Sequence, residues 1–128
     1  MNPGAKKILF AGLAFAVVYG LLNSLSNIFL LPSAPIISMR PQIALPMAVG
    51  ILVHPLAGFI TGFAGNVIGD AISGFGAFTF WNWHIANGLM GIIPGLTVYR
   101  HIQRIDTVRA FGLLQGSIVF ACAAGVAA

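Results

Sequence analysis

The chain has 128 residues, of which 59% are hydrophobic and 6% charged, with a formal net charge of +4. Soluble domains carry about 25% charged residues, so this composition excludes an ordinary water-exposed globule and favours an integral membrane protein. Nucleic acid is not expected as a partner, because the basic residues are scattered at segment ends rather than clustered. The single Cys122 excludes a disulfide framework and is interpreted as a small buried hydrophobe.

Five apolar segments follow one another along the chain. A membrane-spanning helix needs about 20 mainly apolar residues, and backbone groups in lipid must be satisfied within the segment, so helices are predicted. We therefore predict an all-α, polytopic helical bundle that forms a single transmembrane domain over residues 1–128. The predicted helices run approximately over 8–25, 42–53, 56–73, 82–99 and 110–128, with an outer loop over 26–41 and a cytoplasmic loop over 100–109.

The first two segments each raise an alternative. Lys6 and Lys7 precede the first, and Ser24-Leu25-Ser26 weakly resembles a signal-peptide cleavage site. A retained helix is favoured because polar residues continue along the same helical face. The second segment is too short to span alone, so a tilted or partly unwound start at Pro41 and Pro46 is expected.

The basic residues predict the orientation. Lysine and arginine concentrate on the cytoplasmic side of membrane proteins, which places the N-terminus in the cytoplasm of a multi-pass protein. Arg40 then falls on the outer side, where topology does not require a cation. The five basic residues assigned to the cytoplasmic side are Lys6, Lys7, Arg100, Arg104 and Arg109.

Small residues recur at helical spacing on three segments. Gly12, Ala16 and Gly20 share one face of the first helix and would let another helix approach closely. The third helix carries a similar ladder at Gly58, Gly62, Gly65 and Gly69, and the fourth carries His84, Gly88, Gly91 and Gly95 on one face. On each of these three helices, polar residues lie towards the outer end of the small-residue face, which we call a glycine seam.

Asp70 is the only carboxylate in the membrane body. Placing a carboxylate within a membrane costs free energy, so such a residue usually has a function and a partner group. Arg40 is the only cation on the same side of the membrane and is the candidate partner. Two compatible interpretations stay open: an Arg40–Asp70 pair that pins the outer loop, and a solute pocket that both residues line. The candidate pocket residues are Arg40, Asn66, Asp70, Trp81, His84 and Asn87.

Other kinds of site are not indicated. Trp81 and Trp83 fit either an aromatic belt at the membrane interface or stacking on a flat ligand. His84 has no second His or Cys at ligand spacing on its helix, so no metal is predicted. No nucleophile–base pair, paired carboxylates or phosphate loop is present, so neither catalysis nor a cofactor is predicted.

Two stretches resemble a known family. The runs MRPQIALPMAVGILVHPLAGFITGFAGNVIGD and WNWHIANGLMGIIPGL are similar to the substrate-binding S components of energy-coupling factor (ECF) transporters. The resemblance covers roughly residues 8–100. Its features are Arg40-Pro41 after the first loop, a short second helix, Pro55-x-x-Gly58, the glycine ladder into Asp70, and Asn87-Gly88 followed by Gly91.

The resemblance implies a solute-binding subunit in a prokaryotic plasma membrane, with six helices and a cap formed by the first loop. It also implies docking on a transmembrane coupling protein that works with two cytoplasmic ATPases, with Gly12, Ala16 and Gly20 as the docking surface. A vitamin-like organic solute is favoured, because the N-terminal Met-His of nickel and cobalt members is absent. His54 stands where the family often has Gly. The sixth helix is missing, so either the chain is a truncated product or its match to the family is imperfect.

Two other function classes stay open. A purely structural or oligomer-forming membrane protein would need the glycine seams alone. A small membrane enzyme would use His84 and Asp70 as acid and base. Only a transport subunit predicts co-purification with a coupling protein and ATPases.

Overall fold

The computed structural model describes residues 2–26, 30–31, 34–38, 41–101 and 108–127. Within them the chain forms a helical bundle, which confirms the predicted fold class. The five helices are α1 (Pro3–Ser26), α2 (Ala44–Leu52), α3 (Pro55–Ile72), α4 (Trp81–His101) and α5 (Val108–Ala127), and a 3-10 turn over Pro41–Ile43 leads into α2.

The segment between α1 and α2 contains two short strands, where only a loop was expected. Strand β1 (Leu30–Leu31) pairs antiparallel with β2 (Ala34–Ser38), and the register shifts between Leu30 and Leu31. The β-branched pair Ile36 and Ile37 suits extended backbone. The intervening residues 27–29, 32–33 and 39–40 lie outside the described residues, as does most of the predicted cytoplasmic loop.

The central helix of the bundle is α3, which packs against α1, α2 and α4, while α5 packs against α4. Its glycine ladder divides between two sides of the helix. Gly58 lies against α2 and α4, and Gly62 lies against α4, where an added Cβ would come within 2.6 Å of the Asn87 carbonyl carbon. Gly65 and Gly69 lie against α1, so the one ladder lets helices approach closely on two sides.

Three helices meet through backbone atoms at Gly50, Gly58, Gly91 and Gly95, which we call the glycine junction. A Cβ on Gly58 would lie 2.5 Å from the Gly50 Cα, and one on Gly95 would lie 2.9 Å from the Pro55 Cα. A side chain at these positions would force the backbones apart, so glycine here is a packing requirement.

The short α2 and the start of α3 form a tight turn. Nine helical residues extend roughly 14 Å at 1.5 Å per residue, less than half of a bilayer's hydrocarbon core of about 30 Å. His54 then caps α3: its backbone is extended, and its Nδ1 accepts a hydrogen bond from the Leu56 amide at 3.2 Å. Pro55 occupies the first helical position, where a missing N–H is harmless.

The outside of the bundle is apolar. Among the described residues, Pro3–Ser26 and Pro55–Ile72 are long and apolar enough to cross a membrane, and Pro41–Leu52 is a shorter apolar helix. The face of α1 that points away from α3 exposes large side chains such as Phe10, Leu13 and Leu25. Such a face suits lipid or another apolar partner and not water.

Candidate functional site

The polar side chains of α1, α3 and α4 gather where α1 ends and α4 begins. We call this set the polar cluster. In addition to the carboxylate of Asp70, it contains buried Tyr19, Asn23, Ser26, Gln42, Asn66, His84 and Asn87. In the described part of the chain, every buried side-chain N or O atom has a hydrogen-bond partner. The cluster therefore stabilises the bundle and makes one of its ends polar.

His84 lies at the centre of the cluster and is 0% exposed. Its Nδ1 lies 2.8 Å from Asn66 Nδ2, and its Nε2 lies 2.8 Å from the Ala77 carbonyl oxygen. A carbonyl only accepts, so Nε2 carries the proton and the neutral ring accepts at Nδ1. The rings of Phe63 and Phe78 meet the imidazole edge-on at 6.0 and 6.4 Å, which holds its plane.

Asp70 approaches the same histidine from α3. Its Oδ2 lies 3.8 Å from His84 Nδ1, and its side chain is 14% exposed. The two groups form an ion pair only when the imidazole is protonated. Asp70 therefore places a carboxyl group at the partly exposed edge of the cluster.

A second branch of the cluster joins α1 to α4. The Tyr19 hydroxyl donates to Asn87 Oδ1 at 2.8 Å, and Asn87 Nδ2 donates to the Trp83 carbonyl at 2.8 Å. Both side chains are buried. This branch fixes the first turn of α4, which carries Trp81 and Trp83.

The structure brings some of the predicted site residues together. Asn66 and Asp70 each lie against His84 Nδ1, and Asn87 lies one turn further along α4 from His84. Trp81 is 63% exposed and stands at the rim rather than inside the cluster. Arg40 lies outside the described residues, so the Arg40–Asp70 pair stays a prediction.

The three small residues predicted to dock a partner lie inside the chain. Gly12, Ala16 and Gly20 are buried, and a Cβ on Gly20 would lie 2.7 Å from Ile68 Cγ2 on α3. The small-residue stripe therefore packs closely against α3 of the same chain. Small residues allow any neighbouring helix to approach closely, and here that helix is α3. While α1 and α3 stay packed, these residues are covered and not available to a separate subunit.

Sequence reasoning did not select several residues of the cluster. Asn23 lies on the polar continuation of the Gly12, Ala16 and Gly20 face that the sequence indicates, and the same helical phase extends to Tyr19 and Ser26. Gln42 is a polar residue in an apolar segment directly after Pro41, which was also a usable signal. The Ala77 carbonyl carries no sequence signal, because any residue supplies a backbone oxygen.

Comparison with known proteins adds a family. The protein-family model described as "ECF-type riboflavin transporter, S component" matches residues 4–128 of this chain. The UPF0397 protein of Streptococcus pneumoniae strain CGSP14 is 33% identical over 85 residues, which make up 66% of this chain and 42% of that protein. The UPF0397 protein of serotype 19F strain G54 is 33% identical over 97 residues, 76% of this chain and 48% of that protein.

The aligned part of the chain thus spans somewhat less than half the length of these curated relatives. No solved structure matches the chain.

Proposed function

The chain belongs to the family of ECF-type transporter S components, and we propose that it is the solute-binding subunit of an importer for a vitamin-like organic micronutrient. The family is one of bacterial membrane transporters, in agreement with the apolar helices. The observation that carries the proposal is the polar cluster: an apolar bundle concentrates its buried amides, its histidine and a partly exposed carboxylate at one end. Ligand sites combine apolar enclosure with a few placed polar groups in this way.

The solute class follows from the rim of the cluster. Trp81 and Trp83 lie in the first turn of α4, which also carries His84, and are 63% and 47% exposed; tryptophan rings stack on flat ligands. The Asp70 side chain is 14% exposed at the same end of the bundle. A flat-ring solute is the class we propose, with riboflavin-like, pyrimidine, pyridine and queuosine-precursor rings as members; Arg40 is proposed as a further contact.

The proposed mechanism is binding and release of the solute without any covalent reaction. Both ring nitrogens of His84 are hydrogen-bonded within the protein and the side chain is fully buried, so the imidazole presents no free nitrogen to a reactant. This supports binding over the acid–base alternative. The solute would be occluded by the segment over 26–41 and released when partner subunits reorient the bundle.

We propose a multi-pass arrangement with the N-terminus in the cytoplasm, so that Lys6 and Lys7 lie inside and the polar cluster faces outward. The proposed partners are a transmembrane coupling protein and two cytoplasmic ATPases. Because Gly12, Ala16 and Gly20 are covered by α3, we propose the exposed apolar face of α1, which includes Leu13, Val17 and Leu21, for contact with the coupling protein.

The test is to identify and measure the solute. Mass spectrometry of the gently purified chain should find a retained flat-ring molecule, and absence of any bound or binding flat-ring compound would contradict the function. With the solute in hand, Asp70→Asn and Arg40→Ala should each weaken binding at least tenfold, about 1.4 kcal/mol. Arg109→Ala, an exposed arginine at the start of α5, is the control. Unchanged affinity in both site variants would overturn the site.

A further inference from the structure

Five side chains of the polar cluster form a continuous hydrogen-bond chain. Ser26 Oγ lies 2.8 Å from Gln42 Oε1, and Gln42 Nε2 donates to Asn23 Oδ1 at 3.2 Å. Asn23 Nδ2 donates to Asn66 Oδ1 at 3.1 Å, and Asn66 leads on to His84 and the Ala77 carbonyl. The chain joins the end of α1, the start of the 3-10 turn, α3, α4 and the segment after α3.

The chemistry of one end dictates the direction of every bond. The Ala77 carbonyl accepts from His84 Nε2, so a neutral ring must accept at Nδ1 and Asn66 must present its NH₂ group. Asn66 Oδ1 then faces Asn23, which must donate in turn, and the same constraint passes through Gln42 to the Ser26 hydroxyl. Hydrogen bonds in such a series also polarise one another.

Protonation of His84 reverses this requirement. A cationic ring donates from both nitrogens, so Asn66 must turn its oxygen towards Nδ1 and its NH₂ group towards Asn23. Asn23 and Gln42 must then turn over as well, because two NH₂ groups cannot bond to each other. An amide exchanges its O and N positions by a half-turn about its last torsion, so no backbone movement is needed.

Ser26 can terminate the chain in either direction. Its Oγ lies 2.8 Å from Gln42 Oε1 and 2.8 Å from the Leu22 carbonyl. In the neutral state it donates to Gln42, and in the reversed state it accepts from the Gln42 NH₂ group and donates to Leu22. A hydroxyl is suited to this position because it both donates and accepts.

The described residues place few charged or titratable groups near His84. Asp70 on α3 lies 3.8 Å from Nδ1, and the phenol of Tyr19 on α1 bonds to Asn87. The described parts of α2 and of α4 near the ring carry no other ionisable side chain, and Arg109 on α5 is exposed. A proton gained by His84 therefore meets a carboxylate.

We infer that Ser26, Gln42, Asn23 and Asn66 are positioning residues of a reversible amide relay whose direction follows the protonation of His84. The relay connects both ends of the segment between α1 and the 3-10 turn to the Ala77 carbonyl after α3. A change at His84 is thereby sensed at Ser26 without a shift of the helices. The step from relay to solute affinity rests on the proposed function; the relay itself does not.

The first test uses the unmodified chain. Nitrogen-15 labelling of His, Asn and Gln allows the ring nitrogens and side-chain NH₂ groups to be followed by NMR during acidification. The His84 signals are assigned with His84→Gln. We expect the NH₂ signals of Asn66, Asn23 and Gln42 to shift at the same pH as the His84 ring, while those of Asn82 and Gln115 stay in place. A ring that titrates while Asn23 and Gln42 stay fixed overturns the relay.

Two variants separate a relay from a general conformational change. Asn66→Leu interrupts the chain beside His84, so the signals of Asn23 and Gln42 should stop following the ring. Ser26→Ala removes a hydroxyl that serves both directions of the chain alike, so the Gln42 NH₂ signal should still follow the ring, because Asn23 still constrains Gln42. Signals of Asn23 and Gln42 that still follow the ring in Asn66→Leu contradict the inference. Should Asn66→Leu not fold, the titrations of the unmodified chain and of Ser26→Ala decide it, and a Gln42 signal that stays fixed while the Asn23 signal moves contradicts it too.

Solute binding is measured separately. When the relay and the proposed function both hold, affinity for the retained solute changes over the pH range in which the NMR signals move. A relay seen by NMR with no solute bound at any pH contradicts the proposed function alone. Binding with stationary Asn23 and Gln42 signals contradicts the relay alone.

Discussion

At the glycine junction, α2, α3 and α4 meet through backbone atoms, whereas in the polar cluster α1, α3 and α4 meet through side-chain hydrogen bonds. The junction is close-packed, so it tolerates no added atom. In the cluster, size matters less than the presence of donors and acceptors at the right positions, because an unpaired buried polar group is costly. The stability of the bundle thus depends on steric fit at the glycine junction and on hydrogen bonding in the polar cluster.

The largest effect is expected at the junction. A Cβ on Gly91 would lie 2.5 Å from the Gly58 carbonyl carbon and 3.1 Å from the Phe59 nitrogen, and backbone cannot move aside as a side chain can. Gly91→Ala should lower the free energy of unfolding by about 3 kcal/mol, measured by thermal unfolding in detergent.

The control for the junction is the same substitution in open space. Gly112 on α5 has no atom within 4 Å of its would-be Cβ, so Gly112→Ala should be neutral or stabilise the helix by up to about 1 kcal/mol. Equal destabilisation by Gly91→Ala and Gly112→Ala would show that the junction is not packed as described.

An intermediate effect is expected in the polar cluster. Asn66→Leu keeps the approximate volume but leaves the Asn23 NH₂ group and His84 Nδ1 without their partner. The free energy of unfolding should fall by about 2 kcal/mol. Asn82→Leu, the same change on the partly exposed first turn of α4, should stay within about 0.5 kcal/mol. A neutral Asn66→Leu would mean that the bonds of the cluster do not stabilise the bundle.

The smallest effect concerns a single cap away from both regions. His54→Ala removes the bond from the Leu56 amide and should cost about 1 kcal/mol. His54→Asn restores an acceptor while still removing the edge contact with Tyr99, so recovery of stability in this variant assigns the effect to the cap. Loss of equal size in both variants would assign it to the ring contact instead.

Composition and periodicity were enough to determine the helical membrane class, the short second helix and the presence of close-packed seams. These properties depend on how many residues are apolar and on their spacing, both of which are visible in a single chain. Asn66, Asp70 and His84 could also be selected, since a polar residue in an apolar helix needs a reason.

Only the tertiary structure decided which partner each residue meets. The stripe of Gly12, Ala16 and Gly20 could attract any helix, and the fold places α3 against it. The relay from Ser26 to His84 depends on positions far apart in sequence and on the Ala77 carbonyl, a group that every residue possesses. Hydrogen-bond direction is a property of the assembled chain of bonds, so no single residue type could have revealed it.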